Sequence, residues 1–184
     1  MKRRSTTTPE AIFLVDGYNI VGAWRELKKA RDKLGLEEAR RKLVEMLMGF
    51  ASYHGYNLQI VFDAQYQDTP GSREVITKFV SVYYTNAGQT ADTYIEKTCA
   101  DFRQDLRKFD HRLIVATNDT AQKLTVIGYG AEWLSAERLA NEVELAAMST
   151  RSKQKLVPKK PSGRLMNSLD PESQAKLDRL RYGK

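Results

Sequence analysis

The chain has 184 residues, 30 Lys/Arg against 23 Asp/Glu, and no apolar run near the ~18–20 residues of a membrane-spanning helix, so it reads as a soluble domain with an appendage and no membrane partner. Cys99 is the only cysteine, which excludes intramolecular disulfides and Cys-rich zinc patterns and suits a reducing cytoplasm. The two histidines, His54 and His111, lack metal-ligand spacing and read as structural or surface residues.

The net charge of +7 is unevenly placed. Residues 150–184 hold ten basic residues against three acidic ones, whereas residues 5–149 hold 17 against 20. A slightly acidic body over 10–149 thus lies between a basic arm over 1–9 and a basic tail over 150–184. The arm has no apolar segment before Pro9 and is expected to be solvated rather than a secretory signal.

Residues 11–16, AIFLVD, are a continuous apolar run that ends on a carboxylate, the pattern of a strand buried on both faces. Residues 36–53 place Leu36, Ala39, Leu43, Met46, Leu47 and Phe50 at helical spacing, and His54-Gly55 ends that helix. Residues 57–63, NLQIVFD, form a second strand that also stops on an aspartate. After a loop with Pro70-Gly71, residues 79–85, FVSVYYT, read as a third strand. Thr90 can cap a helix over about 91–108, with Ala91, Ile95, Cys99, Phe102 and Leu106 on its apolar face. Residues 111–117, HRLIVAT, form a fourth strand, followed by Asn118-Asp119 and a helix to about 126 or 127. A short AEWL strand then leads to Ser135, the N-cap of a helix over 136–148. Beyond it, 150–168 read as a flexible basic linker, and a short helix can form over 171–180.

Strands alternating with helices point to an α/β domain with a parallel or mostly parallel sheet and helices on both faces. Ligands of such sheets bind outside the carboxyl ends of the strands, near the switch in strand order. Asp16, Asp63 and Asp119 follow three of the predicted strands there. Asp92 opens the helix after another, and Glu96 lies one turn later on the same helix face. Chain order therefore predicts a cluster of carboxylates. Such a cluster must share protons or bind a cation, and oxygen-only ligands suit Mg²⁺ or Mn²⁺. An ion of that kind would activate water and polarise a phosphodiester.

Aspartates after strands can also be no more than helix caps, which explains Asp119, spaced as a capping box with Gln122, better than it explains Asp16. Asn19 can bond a phosphate, a metal-bound water or Asp16 without adding charge. Gly17 permits close backbone approach or a positive φ. Tyr18 either packs in the core or stacks on a base. Thr90, Thr117 and Asn118 can cap helices or position waters.

The stretches FLVDGYNIVGAW, IVFDA, QTADTYIEK and VATNDTAQKLTVIGYGAEWLSAERLANEVE, in that order over about 11–147, resemble the YacP-like group of the NYN domain family within the PIN-like nucleases. The resemblance implies a PIN-like three-layer α/β/α fold, a Mg²⁺ or Mn²⁺ site of acidic residues, and endoribonuclease activity, with mRNA on the ribosome as one setting. By position it implies catalytic roles for Asp16, Asp92, Asp119 and Asn19, and metal ligation by Asp16, Asp92, Asp119 and Asp63. ATND stands where relatives often show Ser-Asp. In this reading the basic tail lies outside the match.

An acidic body needs cations to hold a polyanion, and Lys153, Lys155, Lys159, Lys160 and Arg164 of the tail can supply them to RNA or ribosome. The alternative is a non-catalytic RNA- or ribosome-binding module on the same fold. A phosphatase or nucleotide-binding enzyme is disfavoured by the lack of GxGxxG and GxxxxGK[ST] loops. A monomer or weak dimer is expected.

Overall fold

The computed structural model describes residues 11–64 and 71–156. The chain divides into two compact units, Met1–Thr150 and Arg151–Lys184. In the first, strands β1 (Ala11–Asp16), β2 (Asn57–Phe62), β3 (Ser72–Val75), β4 (Val80–Tyr84), β5 (Arg112–Ala116) and β6 (Glu132–Leu134) form one sheet in the order β3-β4-β2-β1-β5-β6. All neighbours are parallel except β3 and β4. The expected mostly parallel α/β architecture is thus the observed one.

β1 lies between β2 and β5 and has a core on each face, which is why its sequence is apolar without alternation. Phe13 and Val15 join the core beneath helices α1 (Gly17–Ala23), α2 (Arg25–Leu34), α3 (Leu36–His54) and α6 (Ala136–Leu156). Leu14 faces the opposite core, under α4 (Ala91–Gln104) and α5 (Thr120–Gly128), where Ile95, Cys99 and Val126 are buried. Burial pushes the Cys99 thiol up to about 12, so it packs as a small apolar group. Gly55, at φ 71°, ends α3 in the left-handed conformation.

Several elements differ from the sequence expectation. α1 and α2 occupy 17–34, where no element is assigned by pattern. α2 buries only Leu27 and Ala30, too thin a stripe to stand out among its charges, and Trp24 breaks the two helices apart in an extended conformation. The Trp24 indole N–H donates to the Ala136 carbonyl (2.7 Å) and ties that break to the start of α6. β3 forms within the expected loop, as an edge strand whose four residues are all exposed. The helix predicted over 91–108 ends at Gln104, and a separate 3-10 turn covers Leu106–Phe109.

α6 runs to Leu156, further than 148 and into the stretch read as a linker. Lys153 and Lys155 therefore fall on helical backbone, while Lys159, Lys160, Arg164 and the expected helix over 171–180 lie outside the described residues. Among the described residues no helix is long and apolar enough to cross a membrane. His54 stacks on Tyr56 (ring centroids 4.9 Å apart) and His111 meets the Asp110 carbonyl through Nδ1.

Candidate active site

Strand order switches direction at β1. The chain builds outward through β2 and β4 on one side, then crosses by α4 to β5 and β6 on the other. The crevice beyond the carboxyl ends of β1 and β5 is where ligands bind in such sheets. Asp16 is the last residue of β1, Asp63 follows β2, Asp119 follows β5, and Asp92 lies in the first turn of α4.

Each carboxylate accepts a hydrogen bond at Oδ1. Asp16 takes the Asn19 N–H (3.1 Å) and is the N-cap of α1. Asp119 takes the Gln122 N–H (2.9 Å) and caps α5. Asp63 takes the N–H of Ala91, the first residue of α4, whose N-cap is Thr90. Asp92 takes the side-chain N–H of Gln122 (2.5 Å). Three helix N-termini therefore lie at this sheet edge, and their partial positive charge favours anions there. The cap reading holds for Asp16 as fully as for Asp119, contrary to expectation, but capping alone does not account for its charge state.

A capping bond favours the ionised form. The Asp16 carboxyl is instead pushed up to about 7, first by burial, against the pull of the Asn19 bond, and then by the charges of Asp92, Asp63 and Asp119. Asp92 is raised too, by burial and then by Asp119, Asp63 and Glu96, with the Gln122 bond acting the other way. Among the described residues none of the four aspartates forms an ion pair with Lys, Arg or His. They form a mutually repelling anionic set.

The surrounding polar residues fix the loops that carry this set. The Asn19 side chain does not turn to Asp16. Its Oδ1 accepts the Asn118 N–H (2.7 Å), joining α1 to the loop after β5, and the contact with Asp16 is through the Asn19 backbone. Asn118 Oδ1 in turn accepts the Ala136 N–H (2.8 Å) at the start of α6, beside Ser135, which accepts from Arg138 N–H. Thr117, fully buried, accepts the Asp119 N–H at 3.0 Å. Gly17 is helical, without a positive φ, and is required for approach: a Cβ there would lie 2.2 Å from the Phe62 ring. Tyr18 rests on Phe62, centroids 5.0 Å apart, and stays half-buried.

Two residues of the site have side-chain contacts that the sequence does not show. Thr85, fully buried, accepts the Ala64 N–H (2.9 Å) and holds the chain just past Asp63. Gln122 is 3% exposed. Its spacing from Asp119 marks a capping box, but the side chain reaches Asp92 instead of returning to its own cap, and its Oε1 is buried without a partner among the described residues. A buried carbonyl left unbonded is costly, which suits a ligand or water at that point.

The donor set suits a hard divalent ion: oxygen ligands only, repulsion that a cation would relieve, and one carboxylate oxygen of each aspartate outside the capping bonds. Among the described residues, however, no three His, Cys, Asp or Glu side chains already converge closely enough to hold a metal. The set fits by chemistry and would have to draw together around the ion. A separate groove of about 310 Å³, lined by Ile12, Gln59, Arg73, Tyr94 and Phe102 among others, lies against α4 and includes none of the four aspartates.

Comparison with known proteins agrees with the fold. The family model described as the YacP-like NYN domain matches residues 13–182, so the match extends through the basic tail that the motifs alone left out. The chain is 34% identical over 155 residues to YacP of Bacillus subtilis strain 168, covering 84% of this chain and 88% of that protein. It resembles two crystal structures of Rae1 (YacP) from Bacillus subtilis, both 31% identical. A mutant form has a TM-score of 0.66, covering 92% of this chain and 99% of the other. The second has a TM-score of 0.64, covering 94% and 95%.

Proposed function

Because the chain belongs to the YacP-like NYN domain family, a branch of a nuclease superfamily, we propose that it is a metal-dependent endoribonuclease that hydrolyses RNA phosphodiester bonds at the acidic edge of its sheet. The observation that carries this reading is that four aspartates from separate chain segments lie along one sheet edge, where burial first and then the charges of Asp92, Asp63 and Asp119 push Asp16 up to about 7. A fold needs no such repulsive set for stability, and strongly perturbed groups of this kind mark functional sites.

Asp16, Asp92 and Asp119 would hold Mg²⁺ or Mn²⁺, with Asp63 beside them. The ion would supply an activated water and polarise the scissile phosphate. The chain's own residues do the rest. Backbone N–H groups at helix starts orient Asp16, Asp63 and Asp119, Gln122 orients Asp92, and the Asn19–Asn118 bond holds the segments bearing Asp16 and Asp119 together. The tail residues Lys153, Lys155, Lys159, Lys160 and Arg164 would give phosphate or ribosome contacts. The cytoplasm, and mRNA during translation, are the proposed setting.

The lack of a ready three-residue ligand group among the described residues favours, as the second reading, an RNA- or ribosome-binding module without turnover. Incubating the full chain with free mRNA and with translating ribosomes, with and without Mn²⁺, beside an Asp92→Asn control, separates the two. Mn²⁺-dependent cleavage lost in the variant is expected. Binding with steep salt dependence and no cleavage would leave the second reading standing instead.

A further inference from the structure

Next to the acidic edge, on the β2 side of β1, lies a cluster of opposite character. Phe62 pairs with Tyr84 in the β2–β4 register, and their rings stack with centroids 5.8 Å apart. Tyr18 leans on the same Phe62 ring. Chain adjacency fixes the cluster beside the site: Tyr18 is two residues past Asp16, and Phe62 directly precedes Asp63. Phe62 is fully buried beneath Gly17, but Tyr18 and Tyr84 are only half-buried.

Arg40 of α3 joins this cluster. Its Nη1 donates to the Tyr18 hydroxyl (3.3 Å), and its guanidinium carbon is 5.7 Å from the centre of the Tyr84 ring. Among the described residues Arg40 has no carboxylate partner. The contrast with its neighbour is direct, since Arg41 is paired with both Glu38 and Glu45 on the solvent side of the same helix. One arginine of the pair serves the helix surface, and the other is held by tyrosines.

We propose that Tyr18, Tyr84 and Arg40 form a nucleotide-binding platform flanking the acidic edge, on which one unstacked base of a single-stranded RNA lies against the tyrosine rings while Arg40 holds an adjoining phosphate. The platform rests on the reading of that edge as an RNA site. An acidic centre repels its polyanionic substrate, so a positioned cation beside it lowers the cost of approach. A guanidinium braced by a hydroxyl and a ring keeps its planar fork for phosphate oxygens. Half-exposed aromatic rings take any base face without reading its edge, and only an unpaired base can present that face. The substrate is therefore single-stranded and selected loosely by sequence.

The test uses the full chain carrying Asp92→Asn, so that RNA survives, with fluorescent hexauridine and an abasic ribose-phosphate hexamer as probes and affinity read against salt. Tyr84→Leu should weaken hexauridine at least about fivefold and leave the abasic hexamer unchanged. Arg40→Gln should weaken both and flatten the slope of log K against log salt by about 0.7, one phosphate contact. Tyr84→Phe should bind hexauridine as the parent does. Circular dichroism checks folding, and Tyr18→Phe, which keeps the ring and frees Arg40, should show part of the slope change if Tyr84→Leu fails to fold. Folded Arg40→Gln and Tyr84→Leu chains with the parent's affinity and slope would overturn the platform, as would equal loss of both probes in Tyr84→Leu. Cleavage by the chain with Asp92 intact is measured alongside. Platform-dependent binding without any cleavage removes the hydrolytic reading and keeps the platform, whereas cleavage with unaltered binding in the variants removes the platform alone.

Discussion

The two flanks of β1 handle charge in opposite ways. On the β5 flank Asp16, Asp119 and Asp92 are crowded at helix N-termini, with backbone and amide donors but no cation among the described residues. On the β2 flank Arg40 lies against aromatic rings, without a carboxylate ion pair among the described residues. The first flank holds charge at a cost to the fold, and the second adds binding surface with little such cost. Chemistry and grip are thereby separated by the width of one strand, and variants on either flank should leave different signatures.

The largest effect is expected from Asp16→Asn. It should lower Mn²⁺-dependent RNA cleavage about 10²- to 10³-fold, the scale of removing one electrostatic stabiliser of a reacting centre. The same variant should melt at a higher temperature than the parent in metal-free buffer above neutral pH, because a buried anion is removed. Activity and stability moving in opposite directions would mark Asp16 as functional, whereas loss of both would make it structural.

Second is pH. The Asp16 carboxyl is raised when folded, so the folded chain binds its proton more tightly than the unfolded chain. The associated stability is fully present below the ordinary aspartate value of 3.8 and is lost as pH rises through about 7. Asp92, also raised, acts in the same direction. Melting temperature in EDTA should therefore fall between pH 5 and 8, by up to a few kcal/mol in stability on the order expected for one buried carboxyl. Millimolar Mn²⁺ should restore it at pH 8, and Asp16→Asn should flatten the profile. A metal-free profile that is flat or rises over this range would contradict the assignment.

On the other flank Gly17→Ala pushes a methyl group against the Phe62 ring, and overpacking of this kind costs about 1–3 kcal/mol. Chemical denaturation measures it. Phe62→Leu in the Gly17→Ala background should recover part of the loss by opening space. Asn19→Ala should be smaller, about 1 kcal/mol for the lost bond to Asn118 N–H. A drop in cleavage larger than the drop in stability would show that this bond positions Asp16 relative to Asp119.

Elements with covered faces were legible before the fold was known. β1 is apolar throughout because it has neighbours on both edges and cores on both faces, and α3 shows its stripe from Ala39 to Phe50 because that face is buried along its length. The aspartates were legible because strand ends in an α/β sheet share one edge. β3 was not, since all four residues are exposed and only pairing with β4 makes it a strand. Past Thr150, whose hydroxyl bonds the Ala146 carbonyl, α6 continues through polar residues without the apolar period that signals a helix. Gln122 shows the limit for the site itself. Its backbone role follows from local spacing, but its side-chain partner is 30 residues away, and that separation is bridged only by the fold.

Trp133 on β6 donates its indole N–H to the Thr117 carbonyl (2.8 Å), two residues before Asp119, and the Lys123 ammonium lies 3.9 Å from its ring centre. The loop bearing Asp119 is thus wired to a fluorophore. The chain's other tryptophan is Trp24, bonded to Ala136 at the far helix break. With Trp24→Phe the remaining emission comes from one indole, and a shift in its wavelength on adding Mn²⁺ would give an unlabelled optical titration of the acidic edge, read in real time on the intact chain.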